Sequence, residues 1–159
     1  MSSFLAKVCA PAELAARVAA LTRPLVFTNG VFDLLHRGHV SYLAEARALG
    51  TSLVVGLNSD RSVRLLGKGP ARPLNTEADR AAVLAALEST SLVIVFDEAT
   101  PLALLGRLRP DVYAKGGDYA IETLAETRLV RGWGGRAASI PFVAGYSTTA
   151  LVERISASG

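Results

Sequence analysis

The stretch Leu25-Val26-Phe27-Thr28-Asn29-Gly30-Val31-Phe32-Asp33-Leu34-Leu35-His36-Arg37-Gly38-His39 decides how the rest of the chain is read. Leu25, Val26 and Phe27 form the apolar end of a buried strand. Thr28-Asn29-Gly30 is turn chemistry, because glycine tolerates positive φ and asparagine hydrogen-bonds its own backbone. Past the turn the apolar period becomes helical, with Val40, Leu43, Ala44 and Ala46 followed by Leu49-Gly50. His36 and His39 therefore fall at or just before a helix N-terminus. Free backbone N–H groups and the positive end of the helix dipole favour an anion there, and phosphate is the common occupant.

The chain holds only two histidines, and both lie in this His-Arg-Gly-His tetrapeptide. One alternative is a plain pair of cap-region surface histidines; another is a shared metal ion. Gly38 between them argues for a ligand, since no side chain blocks the approach of a phosphate to the backbone between the two rings. A metal site lacks its remaining ligands: there is one cysteine and no third histidine, so no metal ligand is assigned.

Composition narrows the classes. At 159 residues, half of them hydrophobic, the chain is one domain's worth and long enough to bury a sizeable core. The net charge is only +3 and the arginines are scattered among acids, so no nucleic-acid surface is indicated and small anionic substrates fit better. The lone Cys9 cannot form an internal disulfide, and no apolar run approaches the ~20 residues of a membrane span. The N-terminus lacks a charged-then-apolar signal pattern, which leaves no membrane association to expect and makes the cytoplasm the expected compartment.

A single domain over 1–159 is expected, with a helical extension in 1–24 and a core in 25–155. Pro11 opens a helix carrying Leu14, Val18 and Leu21 on one face. Strands are expected at 25–27, 52–57, 92–96, 111–114 and 139–143, alternating with helices at 40–49, 76–87, 101–108, 122–130 and 149–155. Apolar strands alternating with helices predict an α/β fold, a Rossmann-like three-layer α/β/α domain around a five-stranded parallel sheet. Residues 61–73, where glycines and prolines alternate with Lys68 and Arg72, read as a mobile loop of the kind that closes over substrates.

In such sheets ligands bind beyond the carboxyl ends of the strands. Thr28-Asn29-Gly30, Asn58-Ser59-Asp60, Lys115-Gly116-Gly117-Asp118-Tyr119 and Gly145-Tyr146-Ser147-Thr148-Thr149 each follow a strand, so four loops converge on one edge. Competing phosphate motifs are missing. Gly67-Lys68-Gly69 has no glycine at the Walker distance before it and no Ser or Thr after the lysine, and no G-x-G-x-x-G follows the first strand. Gly132-Trp133-Gly134-Gly135 is a turn. Lysine is scarce, with Lys7, Lys68 and Lys115 against fourteen arginines, and two of the three stand beside glycine in the converging loops.

Asn29-Gly30-Val31-Phe32-Asp33 followed by His36-x-Gly38-His39 resembles the HxGH signature of the nucleotidyltransferase superfamily, over about residues 26–155. Lys115-Gly116-Gly117-Asp118-Tyr119 is similar to the form found in its heptose-1-phosphate adenylyltransferase branch, and Ser147-Thr148-Thr149 to the family's Ser-Thr-Thr motif. The resemblance implies adenylyl transfer from ATP, with Mg²⁺, to a D-glycero-D-manno-heptose 1-phosphate, giving ADP-heptose for lipopolysaccharide core assembly. A glycerol-3-phosphate cytidylyltransferase is the alternative within the family, and a nucleotide-binding module without turnover the alternative outside it. The resemblance further implies catalytic roles for His36, His39, Lys68 and Arg72. Nucleotide contacts are implied for Thr28, Asn29, Gly30, Phe32, Gly38, Lys115, Gly117, Asp118, Tyr146, Ser147, Thr148 and Thr149, and substrate contacts for Asp33, Asn58, Asp60 and Arg80. A homodimer acting on small molecules is the implied assembly.

Overall fold

Strands that are apolar at every position must be covered on both faces, and the central strands of this protein are. The structure, a computed structural model, describes residues 3–117 and 120–159. Its strands are β1 (Val8–Cys9), β2 (Leu25–Gly30), β3 (Ser52–Asn58), β4 (Leu92–Phe96), β5 (Val112–Gly116) and β6 (Arg136–Ile140). They pair in the order β1-β4-β3-β2-β5-β6, every neighbouring pair parallel. The helices are α1 (Leu14–Ala19), α2 (Arg37–Ala48), α3 (Asp60–Leu65), α4 (Glu77–Ala85), α5 (Leu102–Leu108), α6 (Ala125–Arg131) and α7 (Thr148–Ala157).

All seven residues of β3 are buried, and its side chains divide between two cores. Leu53, Val55 and Leu57 pack with Leu43 and Ala46 of α2 and Leu84 and Ala85 of α4. On the other face Val54 joins Phe27, Leu92 and Ile94 against Leu14, Leu104, Leu105, Leu108 and Val130, from α1, α5 and α6. That is a three-layer α/β/α sandwich. From β2 the chain steps outward through β3 to β4, then crosses back to lay β5 on the other side of β2. The sheet therefore reverses direction between β2 and β5, and a crevice opens beyond their carboxyl ends.

The sheet has six strands, not five. Val8 and Cys9 pair with Val93 and Ile94 and cover the free edge of β4, so the N-terminal segment is not helical throughout. Two residues carry no readable period. Around α1 the helix is short and preceded by a 3₁₀ turn at Pro11–Glu13. The last strand lies three residues earlier than its apolar pattern suggests: Val112 pairs with Arg136 and Gly116 with Ile140, and Pro141, without an N–H, ends the ladder. Residues 60–65, expected in a loop, form α3, because Ser59 Oγ accepts from Ser62 N and caps the helix.

Candidate active site

At the β2/β5 switch point lies a cleft of about 330 Å³. Asn29 and Gly30 from β2 and the Tyr42 ring form its base, and His36, Gly38 and His39 at the start of α2 form one wall. Lys115 and Gly116 of β5, Phe142 and Val143 after β6, and Tyr146, Ser147 and Thr148 at the start of α7 complete the lining, with Lys68 reaching in from the 66–75 segment. A second hollow of about 320 Å³ shares His39, Lys68 and Thr148 with the first and adds Phe32, Asp33, Arg72 and Thr149. The first is lined with rings; the second is lined with charge.

His36 is the N-cap of α2, and its extended backbone turns both imidazoles to the same side. The two rings stack with centroids 3.9 Å apart, and the His36 amide donates to His39 Nδ1 at 3.4 Å. Phe32 packs edge-on behind His39 at 5.4 Å; its backbone takes φ 48°, an uncommon value for a side chain this large, held by burial of the ring. Tyr146 stacks on the far side of His36 at 6.3 Å, and the Arg37 guanidinium lies over Tyr146. Gly38 makes this ladder possible. A Cβ there would stand 2.9 Å from His36 and 3.1 Å from Tyr146, so the glycine admits the rings as well as any ligand. His36 Nδ1 is buried with no hydrogen-bond partner among the described residues, an atom in want of a partner.

Burial holds the His36 imidazole below its ordinary pKa and takes His39 to about 4, helped by repulsion from His36 and opposed by the Leu34 carbonyl. Both rings are therefore neutral at pH 7 until an anion arrives. The linkage sign follows: between an unfolded value near ~6.5 and the folded value of about 4, the unfolded chain binds the proton that folded His39 refuses, so stability falls on acidification through that window. Between pH 7 and pH 4.5 this site costs on the order of 1 to 2 kcal/mol after allowance for its solvent access. Denaturant midpoints at the two pH values, compared with those of His39→Gln, check it; equal acid losses in the two proteins exclude the effect. Bound tripolyphosphate restores the lost stability by favouring the charged ring.

Lys115 is largely buried, and desolvation lowers its pKa, with Glu126 opposing and the charge of Lys68 adding to the depression. Two ammonium groups thus face one cavity. The N-termini of α2 and α7 open on it too, the latter capped by Ser147 Oγ, which accepts from Ala150 N at 3.0 Å. Two dipoles and two cations on one cleft make a receptor for several linked phosphates.

Several residues expected to touch ligands have partners within the protein. Thr28 is fully buried, its hydroxyl bonded to Tyr42 Oη, which also donates to the Ala114 carbonyl; this ties β2, α2 and β5 together. Asp33 is buried and accepts from the Leu74 and Asn75 amides and from Arg72 Nη1 at 3.2 Å, which holds its carboxylate below the ordinary range despite desolvation. It latches the 72–75 segment to the β2–α2 loop and aims Arg72. Asn58 Nδ2 is spent on Ser62 Oγ, and Asp60 pairs with Arg80 at 2.7 Å. Arg80, 2 % exposed, donates to the Asn75, Val31 and Asn58 carbonyls as well. None of Thr28, Asn58, Asp60 or Arg80 lines either hollow. Gly117 backs Phe142; the expected contact of Asp118 lies outside the described residues. Sequence reading missed Tyr42, Phe142 and Val143, which look like core residues in a linear pattern.

The cytidylyltransferase-like family model matches residues 27–154. D-beta-D-heptose 1-phosphate adenylyltransferase of Bordetella bronchiseptica is 60% identical over 154 residues, covering 96% of this chain and 95% of that protein. Bifunctional protein HldE of Magnetococcus marinus is 56% identical over 142 residues, covering 89% of this chain but 29% of that protein, so the chain spans less than a third of such relatives. Among solved structures, a lipopolysaccharide core biosynthesis protein from Thermoplasma volcanium superposes with TM-score 0.62 at 28% identity, covering 75% of this chain and 95% of that one.

Proposed function

Because this chain belongs to the cytidylyltransferase-like family, we propose that it is an adenylyltransferase that moves AMP from ATP to a D-β-D-heptose 1-phosphate, releasing pyrophosphate and ADP-heptose for lipopolysaccharide core synthesis. The observation that carries this reading is the convergence of His36, His39, Lys68, Lys115 and two helix N-termini on one cleft. The 60% identity to a relative of that activity, along nearly its whole length, supports the substrate pair.

The acceptor's phosphate is already largely dianionic at neutral pH, its second pKa being near ~6, so the reaction needs no general base. An acceptor oxygen forms a bond to the α-phosphorus while the bond from that phosphorus to the bridging oxygen breaks, and pyrophosphate leaves with the electron pair. The protein's task is alignment and stabilisation of charge on the transferring group and the leaving group. His36, His39 and the α2 N-terminus serve the transferring phosphoryl. Lys68, Arg72 and the α7 N-terminus serve the outgoing pyrophosphate, and Lys115 neutralises charge on the ring-lined side.

Mg²⁺ belongs to the substrate as MgATP. No group of three or more His, Cys, Asp or Glu side chains among the described residues is placed to hold a metal, and the oxygens of Asp33 already accept from Arg72, Leu74 and Asn75. An ion carried by phosphate oxygens and water needs no such cage. The protein acts as a homodimer in the cytoplasm in this reading, and no helix among the described residues is long and apolar enough to cross a membrane. Sedimentation tests the dimer.

The test of function is competition. Protein with Mg²⁺, equal ATP and CTP, and either D-β-D-heptose 1-phosphate or glycerol 3-phosphate is expected to yield ADP-heptose from the first acceptor and little nucleotidyl product from the second. The preference for ATP over CTP is expected to be tenfold or more, because each buried base group left unpaired costs ~1 to 3 kcal/mol. CDP-glycerol as the main product overturns the assignment in favour of the cytidylyl reading.

A further inference from the structure

Phe142 is 68 % exposed, the most exposed of the large hydrophobic side chains among the described residues, and it lines the cleft. Its ring lies against the backbone of a glycine pair. A Cβ on Gly116 would meet Cε1 at 3.1 Å, and a Cβ on Gly117 would meet Cε2 at 2.3 Å, so any residue but glycine at 117 would drive the ring away; Gly117 also takes φ +92°. The glycine pair is itself fixed, with the Gly117 amide donating to the Ile140 carbonyl at 2.9 Å and Ser139 Oγ donating to the Gly117 carbonyl at 3.1 Å. Pro141 ends β6 just before the aromatic. An apolar ring thus lies against hydrogen-bonded backbone and lines the cleft that His36 and His39 also line.

We propose that Phe142, seated on Gly116 and Gly117, is the platform on which the purine base of the nucleotide stacks, and that it contributes to the choice of ATP over CTP. The inference rests on the adenylyltransferase reading and adds to it the residue that holds the base. The lining supports the placement, because His39, Lys68, Arg72 and the first residues of α7, Thr148 and Thr149, line the adjoining polar hollow, which Phe142 does not. Base and phosphates then occupy two adjoining hollows that share His39, Lys68 and Thr148. An aromatic face accepts any base, but a bicyclic purine covers more of the ring than a pyrimidine does, so the platform favours ATP without hydrogen-bond readout.

Equilibrium titration tests it. Phe142→Ala is expected to raise the Kd for ATP about 5- to 100-fold while leaving the Kd for inorganic tripolyphosphate unchanged, the range that loss of one base stack implies. Phe142→Trp keeps ATP binding, and ATP but not tripolyphosphate quenches the new indole's emission. The native Trp133 reports nothing in wild type, since it packs at the far end of the sheet with Nε1 donating to the Pro110 carbonyl at 2.9 Å. Wild-type-like ATP affinity in Phe142→Ala, or an unquenched indole in a Phe142→Trp protein that binds ATP, overturns the platform and leaves the enzyme reading standing. Wild-type protein that binds tripolyphosphate but shows no gain in affinity for ATP overturns it as well. If wild type binds neither, the nucleotide reading itself fails and takes the platform with it. A shift from dimer to monomer in Phe142→Ala with ATP affinity intact assigns the ring to a protein contact instead.

Discussion

His39→Ala is expected to lower kcat by 10² or more, about 2.7 kcal/mol of transition-state stabilisation, with a smaller change in affinity for ATP. The expectation comes from the environment of the ring. Neutral at pH 7 because it is buried, stacked on His36 and backed by Phe32, the imidazole is held without freedom to reorganise when negative charge builds on the transferring phosphoryl. Burial also means that its interaction with that charge is little screened by water, so its removal is felt most where the charge is greatest. His36→Ala is expected to behave similarly, for its Nδ1 is a buried atom with no hydrogen-bond partner among the described residues. Steady-state kinetics of pyrophosphate release with saturating acceptor check both. Near-wild-type turnover in either variant removes that ring from the chemistry. A rise in KM with kcat untouched would move it from transition-state stabilisation to ground-state binding.

Arg80→Met is expected to destabilise the fold by about 3 kcal/mol and to lower Tm by about 6 to 12 °C, the largest stability loss anticipated from any single charged position here. One guanidinium binds four groups on three segments: the Asn75 carbonyl at 3.0 Å, the Val31 and Asn58 carbonyls at 2.8 Å each, and Asp60 Oδ1 at 2.7 Å. Methionine fills a similar volume but leaves three carbonyls without their donor around a buried side chain, and a partly exposed carboxylate without its ion pair. Because Val31 adjoins Phe32 and Asn75 adjoins the segment latched by Asp33, the loss also loosens His39 and Arg72. Turnover at a temperature where the variant is still folded is expected to fall at least tenfold. Arg80→Lys should recover little, since one ammonium cannot span acceptors arranged around a planar fork. Thermal melts decide the first part: a Tm within 2 °C of wild type would mean that water replaces the guanidinium at no cost.

The plan of the protein is legible in its residues wherever the period is long and the chemistry local. Uninterrupted apolar runs at Leu53 to Leu57 and Leu92 to Phe96 require burial on both sides, and helices between them require parallel pairing. His36 and His39 announce themselves by their place at a helix start. Short or long-range features are not legible in this way. Val8 and Cys9 become a strand only because β4 offers an unpaired edge eighty-odd residues away, and β6 takes its register from Val112 rather than from its own apolar pattern.

The division is sharpest among the polar residues of the loops. Residue type places Thr28, Asp33, Asn58, Asp60 and Arg80 near the carboxyl edge of the sheet, and type alone makes each a plausible ligand contact. Whether a hydroxyl or guanidinium faces a cavity or another strand depends on which distant carbonyls the fold brings within 3 Å, and those partners lie on other segments: Tyr42 for Thr28, Leu74 and Asn75 for Asp33, Val31 and Asn58 for Arg80. Phe142 is the converse. In a linear pattern it is one more apolar residue beyond a strand, and only the seating of its ring on Gly116 and Gly117 leaves it facing the cleft. Local periodicity and helix-start chemistry determine the layers, the edge where the cleft opens and the histidine pair. Side-chain direction at the site is decided by tertiary packing, because a hydrogen bond or a ring contact has two ends and the chain supplies the second from far away.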